Sequence, residues 1–300
     1  MAGKRIAWIG TGVMGQSMAA RLLDGGFDVA LHTRTPEKAK GLLERGARWL
    51  DSVAEAAGEE VVISMVGYPA DVQEVLLSTS GVLATTGDGC ACELVIDMTT
   101  STPQLAIEIA SAAAARGVMA LDAPVSGGDV GARDGTLSIM VGGEAAALES
   151  ARPIFDLLGK QALLQGGPGA GQHTKMVNQT LIASAMIGVC EGLLYARRAG
   201  LDCEQVLASV GGGAAGSWSL SNLGPRILRG DFEPGFFVEH FVKDMEIALE
   251  EARRMNLELP GLTLARRLYG ELIERGGARQ GTQALYGAIE AIASGDGGEE

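Results

Sequence analysis

Histidine and cysteine are scarce in this chain. Three histidines, at positions 32, 173 and 240, are too few and too scattered for a histidine-rich metal site. The four cysteines, Cys90, Cys92, Cys190 and Cys203, form no C-x-x-C pair, and no two pairs have zinc spacing. They read as reduced, structural thiols, and no metal is expected. Basic residues are also short: 24 Lys and Arg stand against 37 Asp and Glu, a formal charge of −13. That balance argues against general binding to nucleic acid or to an anionic membrane. It leaves room for an anionic small substrate, because a local cluster of lysines can reverse the field inside a cleft. No run of about 18 apolar residues free of charge is present. The nearest stretch, 180–190, is bounded by Gln179 and Glu191. The N-terminal "MAGKR" shows none of the apolar run of a signal peptide. A cytoplasmic protein is expected, with no nucleic-acid or membrane partner.

What is present is a core. Hydrophobic residues make up 47% of the 300, enough for two domains or one large one. In the first half, strand-like runs alternate with helical patterns. The runs are "RIAWIG", "DVALHT", "VVISMVG", "ELVIDMTT", "VMALDAPVS" and "LSIMVGG". Such alternation predicts βαβ units and a mostly parallel sheet covered on both faces. After "QALLQGGPG" the strand-like segments stop, and helices are expected near 172–198, 202–210, 218–229, 236–256, 260–275 and 282–293. The fold class is therefore α/β: an N-terminal Rossmann-type domain over 1–166, then an all-helical domain over 167–300 that begins with a long connecting helix. The acidic, Gly-rich tail "SGDGGEE" is expected to fray.

"IAWIGTGVMGQSMAARLL" places Gly10, Gly12 and Gly15 in G-x-G-x-x-G spacing after a strand and at the start of a helix. In that context the first glycine makes the tight turn, the second admits a pyrophosphate and the third lets helix and strand pack closely. Thr11, Val13 and Met14 complete the loop, whose free N–H groups suit an anion. The bland alternative is a tight turn with no ligand. An NAD site usually carries an acid about 20 residues further on. At the end of the second strand, "LHTRTPEKA" offers none; Arg34 stands there with Thr33 and Thr35. A guanidinium suits a 2′-phosphate, and Lys38 could add a second charge, so NADP(H) is expected over NAD(H). The competing reading is a solvated helix start at Thr35-Pro36.

In "GAGQHTKMVNQ", Lys175, Asn178 and Gln179 are three and four residues apart, on one helix face, with His173 pointing elsewhere. A buried lysine is costly unless paired or used, and its pKa responds readily to burial. It is a candidate acid–base group, against the alternative of a snorkelling side chain at a helix start. "FFVEHFVKDMEIALEEA" puts Lys243 and Asp244 inside a helical pattern, with His240 a turn before. "LDAPVSGGDVGARDGTL" gives Ser126, Gly127 and Gly128: a hydroxyl plus unobstructed N–H groups able to hold a carboxylate, or simply a glycine turn.

In order and separation, "GTGVMGQSMAARLL", "DAPVSGGDVGARDGTLSIMVGG", "GAGQHTKMVNQ" and "FVKDMEIALEEA" resemble the β-hydroxyacid dehydrogenases, which include 3-hydroxyisobutyrate dehydrogenase, tartronate semialdehyde reductase and the glyoxylate/succinic semialdehyde reductases. The resemblance covers nearly the whole chain. It implies hydride exchange between a nicotinamide and the carbinol carbon of a small anionic hydroxyacid or its semialdehyde. It puts the catalytic lysine on Lys175 and the substrate-binding residues on Ser126, Gly127, Gly128 and Asn178. Lys243 would add positive potential, contact the cofactor side and help to lower the Lys175 pKa; Asp244 lies beside it, and the pocket phenylalanine falls on Phe236. Thr100, with Thr99 beside it, matches the threonine that reaches the nicotinamide. The strand-end loop usually written Met-Leu-Pro is Met65-Val66-Gly67 here, so Val66 and Gly67 fall on the cofactor side. The usual Asn-Asn pair is Asn178-Gln179, a departure that touches subfamily only. The Arg34-Thr35 pair resembles the NADP(H)-using members. The resemblance also implies a homodimer or homotetramer. An imine reductase of the same architecture generally lacks the lysine, and a non-catalytic nucleotide-binding structural protein would have lost it. A 6-phosphogluconate-type decarboxylase would need a longer helical domain.

Overall fold

A computed structural model describes residues 4–86 and 90–295. The acidic end of the chain, 296–300, where fraying is expected, lies outside the described residues. The chain divides into two compact units, Met1–Lys175 and Met176–Glu300.

The first unit holds one sheet of β1 (Arg5–Ile9), β2 (Asp28–His32), β3 (Arg48–Trp49), β4 (Val61–Ser64), β5 (Leu94–Asp97), β6 (Met119–Asp122), β7 (Val125–Ser126), β8 (Leu137–Gly143) and β9 (Gly159–Gly166). Its order is β3-β2-β1-β4-β5-β6-β8-β7, with β9 on the free side of β8. Strands β1 to β6 pair in parallel; β8 runs antiparallel to β6 and β7. The sheet is thus mostly parallel, as the strand–helix alternation predicts. The helices are α1 (Val13–Asp24), α2 (Lys40–Leu43), α3 (Pro69–Leu77), α4 (Val82–Thr85), α5 (Pro103–Ala114), α6 (Gly128–Asp134) and α7 (Ala145–Leu158).

Side-chain alternation along the central strands splits the core in two. Ile6, Trp8, Ile63 and Ile96 pack on one face, while Ala7, Ile9, Val62 and Val95 pack on the other. This explains the continuous apolar runs, since β4 and β5 are buried at every residue. The strand order reverses direction at β1, between β2 and β4. In sheets of this kind ligands sit outside the carboxyl ends of the strands at such a switch point.

Helix α8 (Ala170–Arg198) begins in the first unit and continues into the second. Its start is clamped to the sheet. The Asp122 carboxylate, at the end of β6, accepts from Gly169 N and Gln172 N, each at 2.8 Å. Gly171 lies so close to the Asp122 and Met140 carbonyls that a Cβ would overlap both. Among the described residues, α8 is the one helix long and apolar enough to cross a membrane. Its Ala183, Met186, Cys190 and Leu193, however, are buried in the core of the second unit.

The second unit adds α9 (Cys203–Gly211), α10 (Trp218–Leu228), α11 (Val238–Arg254), α12 (Pro260–Glu274) and α13 (Leu285–Ser294). Val238, Phe241, Val242, Met245 and Ala248 recur at helical spacing on α11 and form the inner face of this unit with Leu268 and Tyr269 of α12.

Candidate active site

The carboxyl ends of β1, β2, β4 and β5 carry four of the predicted groups. The loop after β1 is shaped by the chain at two of its glycines. Gly10 has φ +102, and a Cβ there would overlap the Met65 carbonyl oxygen; a Cβ on Gly15 would overlap the Gly10 carbonyl oxygen. Gly12 differs. Its backbone is ordinary, at φ −70, and no described atom lies within 4 Å of where its Cβ would be. Among the described residues nothing requires a glycine there. The first turn of α1 has no side-chain cap, and the Thr11 hydroxyl is buried without a partner among the described residues. Open space beside Gly12, uncapped N–H groups and an orphan hydroxyl fit a dinucleotide pyrophosphate. Val13 is exposed and Met14 half-buried on the first turn of α1. The carbonyl of Gly10 is held by the indole of Trp8, whose Nε1 donates at 2.8 Å. That support was not foreseen, though the two-residue spacing on a strand puts Trp8 and Gly10 on one face.

Arg34 and Thr35 follow β2 and are exposed, as is Lys38. The Arg34 guanidinium donates through Nη1 to Asp71 Oδ1 at 2.9 Å. An acid absent from the end of β2 in sequence is therefore supplied by the first turn of α3, whose Asp71 also accepts from Tyr68 N.

Val66 and Gly67 follow β4 and are half-buried. The Val66 N–H donates to Thr99 Oγ1 at 3.0 Å. Beneath them Asp97 accepts from the Ser64 hydroxyl at 2.8 Å and from Thr99 N at 3.1 Å. Burial raises the Asp97 pKa to about 6, against the opposing pull of those hydrogen bonds. Burial raises that of Asp122 as well. Gln172, fully buried, bridges to the same loop: its side chain accepts from Ser101 N at 2.9 Å and donates to Thr99 O at 2.8 Å. Thr99 is thus tied down by Val66, Asp97 and Gln172, while Thr100 beside it is half-buried. The sequence reading missed Gln172; a glutamine inside an otherwise tight G-A-G helix start was the available signal.

One turn after Gln172, Lys175 is 6% exposed, and its Nζ donates to Val125 O at 2.8 Å. The next residues are Ser126, Gly127 and Gly128, half-buried, the glycines at φ +134 and +65. A β-branched or bulky residue could not follow that path. The structure therefore brings the lysine, across 50 positions, to the residue that precedes the serine–glycine turn.

In the second unit, Asn178 Nδ2 donates to Gln179 Oε1 at 2.7 Å, and Gln179 Nε2 donates to Asp244 Oδ2 at 2.7 Å. The Lys243 ammonium meets Asp244 Oδ1 at 3.0 Å. This buried carboxylate links α11 to α8 and is neutralised by its own neighbour. Burial, then the charge of Lys243, lowers the His240 pKa. Phe236 is half-buried, its ring 5.7 Å from that of Phe241. Among the described residues no three His, Cys, Asp or Glu side chains are grouped as metal ligands.

Comparison with known proteins agrees with this geometry. Residues 5–167 match the family described as the NAD binding domain of 6-phosphogluconate dehydrogenase. Residues 169–289 match the one described as NAD-binding of NADP-dependent 3-hydroxyisobutyrate dehydrogenase. A probable mitochondrial 3-hydroxyisobutyrate dehydrogenase-like protein of Arabidopsis thaliana is 48% identical, over 96% of this chain and 86% of that protein. The 2-hydroxy-3-oxopropionate reductase of Escherichia coli is 35% identical, over 97% of this chain and 98% of that enzyme. The solved 3-hydroxyisobutyrate dehydrogenase of Mycobacterium tuberculosis with L-serine superimposes with a TM-score of 0.85 at 28% identity, over 96% of this chain and 100% of that one. The chain is an oxidoreductase with an NAD(P)-binding Rossmann unit, and it belongs to the β-hydroxyacid dehydrogenase family.

Proposed function

We propose that the protein interconverts a small β-hydroxyacid and its semialdehyde with NADP(H), using Lys175 as general acid and base. The functional division is a cofactor domain over 1–166 and a helical domain from 167 that contributes substrate contacts. Gly10, Thr11, Gly12, Val13, Met14 and Gly15 hold the pyrophosphate. Arg34 and Thr35 take the 2′-phosphate, and Val66, Gly67 and Thr100 line the nicotinamide side, with Lys243 adding positive potential. Bound there, the nicotinamide gives or takes the hydride. Ser126 and the N–H groups of Gly127 and Gly128 hold the carboxylate. Lys175 Nζ delivers a proton to the forming alkoxide in reduction and receives the hydroxyl proton in oxidation. The family resemblance further assigns Asn178 to the reacting oxygen and Phe236 and Asp244 to substrate contacts.

The observation that carries this reading is the buried Lys175 ammonium held at the carbonyl of Val125, one residue before the serine–glycine turn. A snorkelling lysine would reach solvent. The names of the relatives, a hydroxyoxopropionate reductase and a 3-hydroxyisobutyrate dehydrogenase with L-serine, favour a three-carbon backbone bearing a carboxylate and a β-oxygen. The protein acts as a homodimer or homotetramer: Val177, Leu181 and Tyr195 project from one face of α8 at 60%, 67% and 75% exposure, an apolar row that an interface would cover.

The test is steady-state and single-turnover kinetics of Lys175→Ala on C2–C4 semialdehydes and hydroxyacids. Turnover should fall by at least about 10²-fold, the scale of a positioned proton donor, with cofactor affinity nearly unchanged. Hydride transfer at the wild-type rate would remove Lys175 from the mechanism and make His240 the next group to test.

A further inference from the structure

The pairing of Arg34 with Asp71 has a consequence for cofactor choice. Asp71 is the fixed member. Its carboxylate is 15% exposed and is anchored by Tyr68 N at 3.0 Å, within the first turn of α3. Arg34 is the exposed member, with its side chain 76% exposed. The contact uses Nη1, and the other guanidinium donors have no partner among the described residues. A 2′-phosphate on Arg34 would therefore be drawn to the guanidinium and repelled by the carboxylate behind it. A 2′-hydroxyl would meet no repulsion and could donate to that carboxylate.

We propose that Asp71 is the specificity-determining residue at the ribose 2′ position, acting as a counter-charge that restrains the preference for NADP over NAD. This rests on Arg34 being the 2′-phosphate ligand. The opposite role, in which Asp71 simply orients Arg34 for the phosphate, predicts an effect of opposite sign, so the two are separable by one variant. Asp71→Asn removes the charge and keeps an oxygen for Tyr68 N. Asp71→Ser removes the charge in a smaller side chain.

The experiment is calorimetric titration of the full-length protein with NADP+ and with NAD+, for the wild type, Asp71→Asn, Asp71→Ser and Arg34→Ala, at low and high salt. Both Asp71 variants should raise the NADP+/NAD+ affinity ratio by about 3- to 10-fold, the scale of one partly screened charge contact. The gain should shrink at high salt, which a purely structural change would not produce. An unchanged or lower ratio in Asp71→Asn and Asp71→Ser overturns the proposal. Arg34→Ala reports separately: if it weakens both cofactors equally, the assignment of Arg34 to the 2′-phosphate is wrong whatever Asp71 does.

Discussion

Replacing each glycine of the loop after β1 with alanine should separate what the fold needs from what the ligand needs. At Gly12 two small terms oppose each other. Alanine at a compatible φ of −70 gains about 0.4–1 kcal/mol by restricting the unfolded chain. Alanine is also a poorer helix N-cap than glycine, at a cost of a similar few tenths to about 1 kcal/mol. With no described atom within 4 Å of the added methyl, nothing else enters. The net change should stay within about 1 kcal/mol, or about 3 °C in the melting midpoint of the cofactor-free protein. The methyl would occupy the space through which a pyrophosphate reaches the backbone. NADP+ affinity should therefore fall by at least about tenfold, the scale of one lost charge-assisted hydrogen bond. Gly10→Ala behaves differently. Its φ of +102 and the overlap with the Met65 carbonyl should together cost more than about 2 kcal/mol and lower the midpoint by about 5 °C or more. Thermal unfolding without cofactor and calorimetric titration with NADP+ give both quantities. If Gly12→Ala loses as much stability as Gly10→Ala, the glycine serves the fold. If it keeps both stability and affinity, the cradle is not where the cofactor binds.

Three shorter tests bear on the rest. Lys175→Arg should be as inactive as Lys175→Ala, because a guanidinium does not release its proton near neutral pH; activity within a few-fold of wild type would refute the acid–base role. Asp97 has a folded-state pKa of about 6, raised above its unfolded value. Its contribution to stability is thus greatest below pH about 4 and is lost as pH rises to about 6. Asp97→Asn, which retains an oxygen for Ser64 and Thr99, should therefore gain on the wild type in melting midpoint between pH about 4 and 7, and a constant difference across that range would contradict the burial argument. Sedimentation at micromolar concentration should give a dimer or tetramer; a monomer would count against an interface on the exposed row of α8.

The strand–helix alternation, the parallel sheet and the helical second half were legible because each rests on periodicity within about ten residues. The glycine loop was legible because its spacing is short and its context, strand before and helix after, is local. What sequence did not reveal was every contact made by folding back. Asp71 reaches Arg34 across 37 positions, and Lys175 reaches Val125 across 50. The end of β2 itself holds no acid; the acid beside Arg34 comes from α3. Asp122 reads in sequence as an ordinary strand-end residue, yet it caps α8 from 47 and 50 positions away. The two-residue strand β3 is too short to carry a period, and β7 follows β6 with only Ala123 and Pro124 between them, so the two read in sequence as one strand.

The row Asn178–Gln179–Asp244 has a polarity, and its last member dictates it. A carboxylate can only accept, so Gln179 must turn its nitrogen toward Asp244 and its oxygen toward Asn178. Asn178 then answers with its nitrogen, and its own carbonyl oxygen is presented at the far end. With a neutral amide in place of the carboxylate the same row could run in either sense, and position 178 would present a mixture of donor and acceptor. The carboxylate on α11, 66 residues downstream, thereby sets which end of the asparagine faces away from the row.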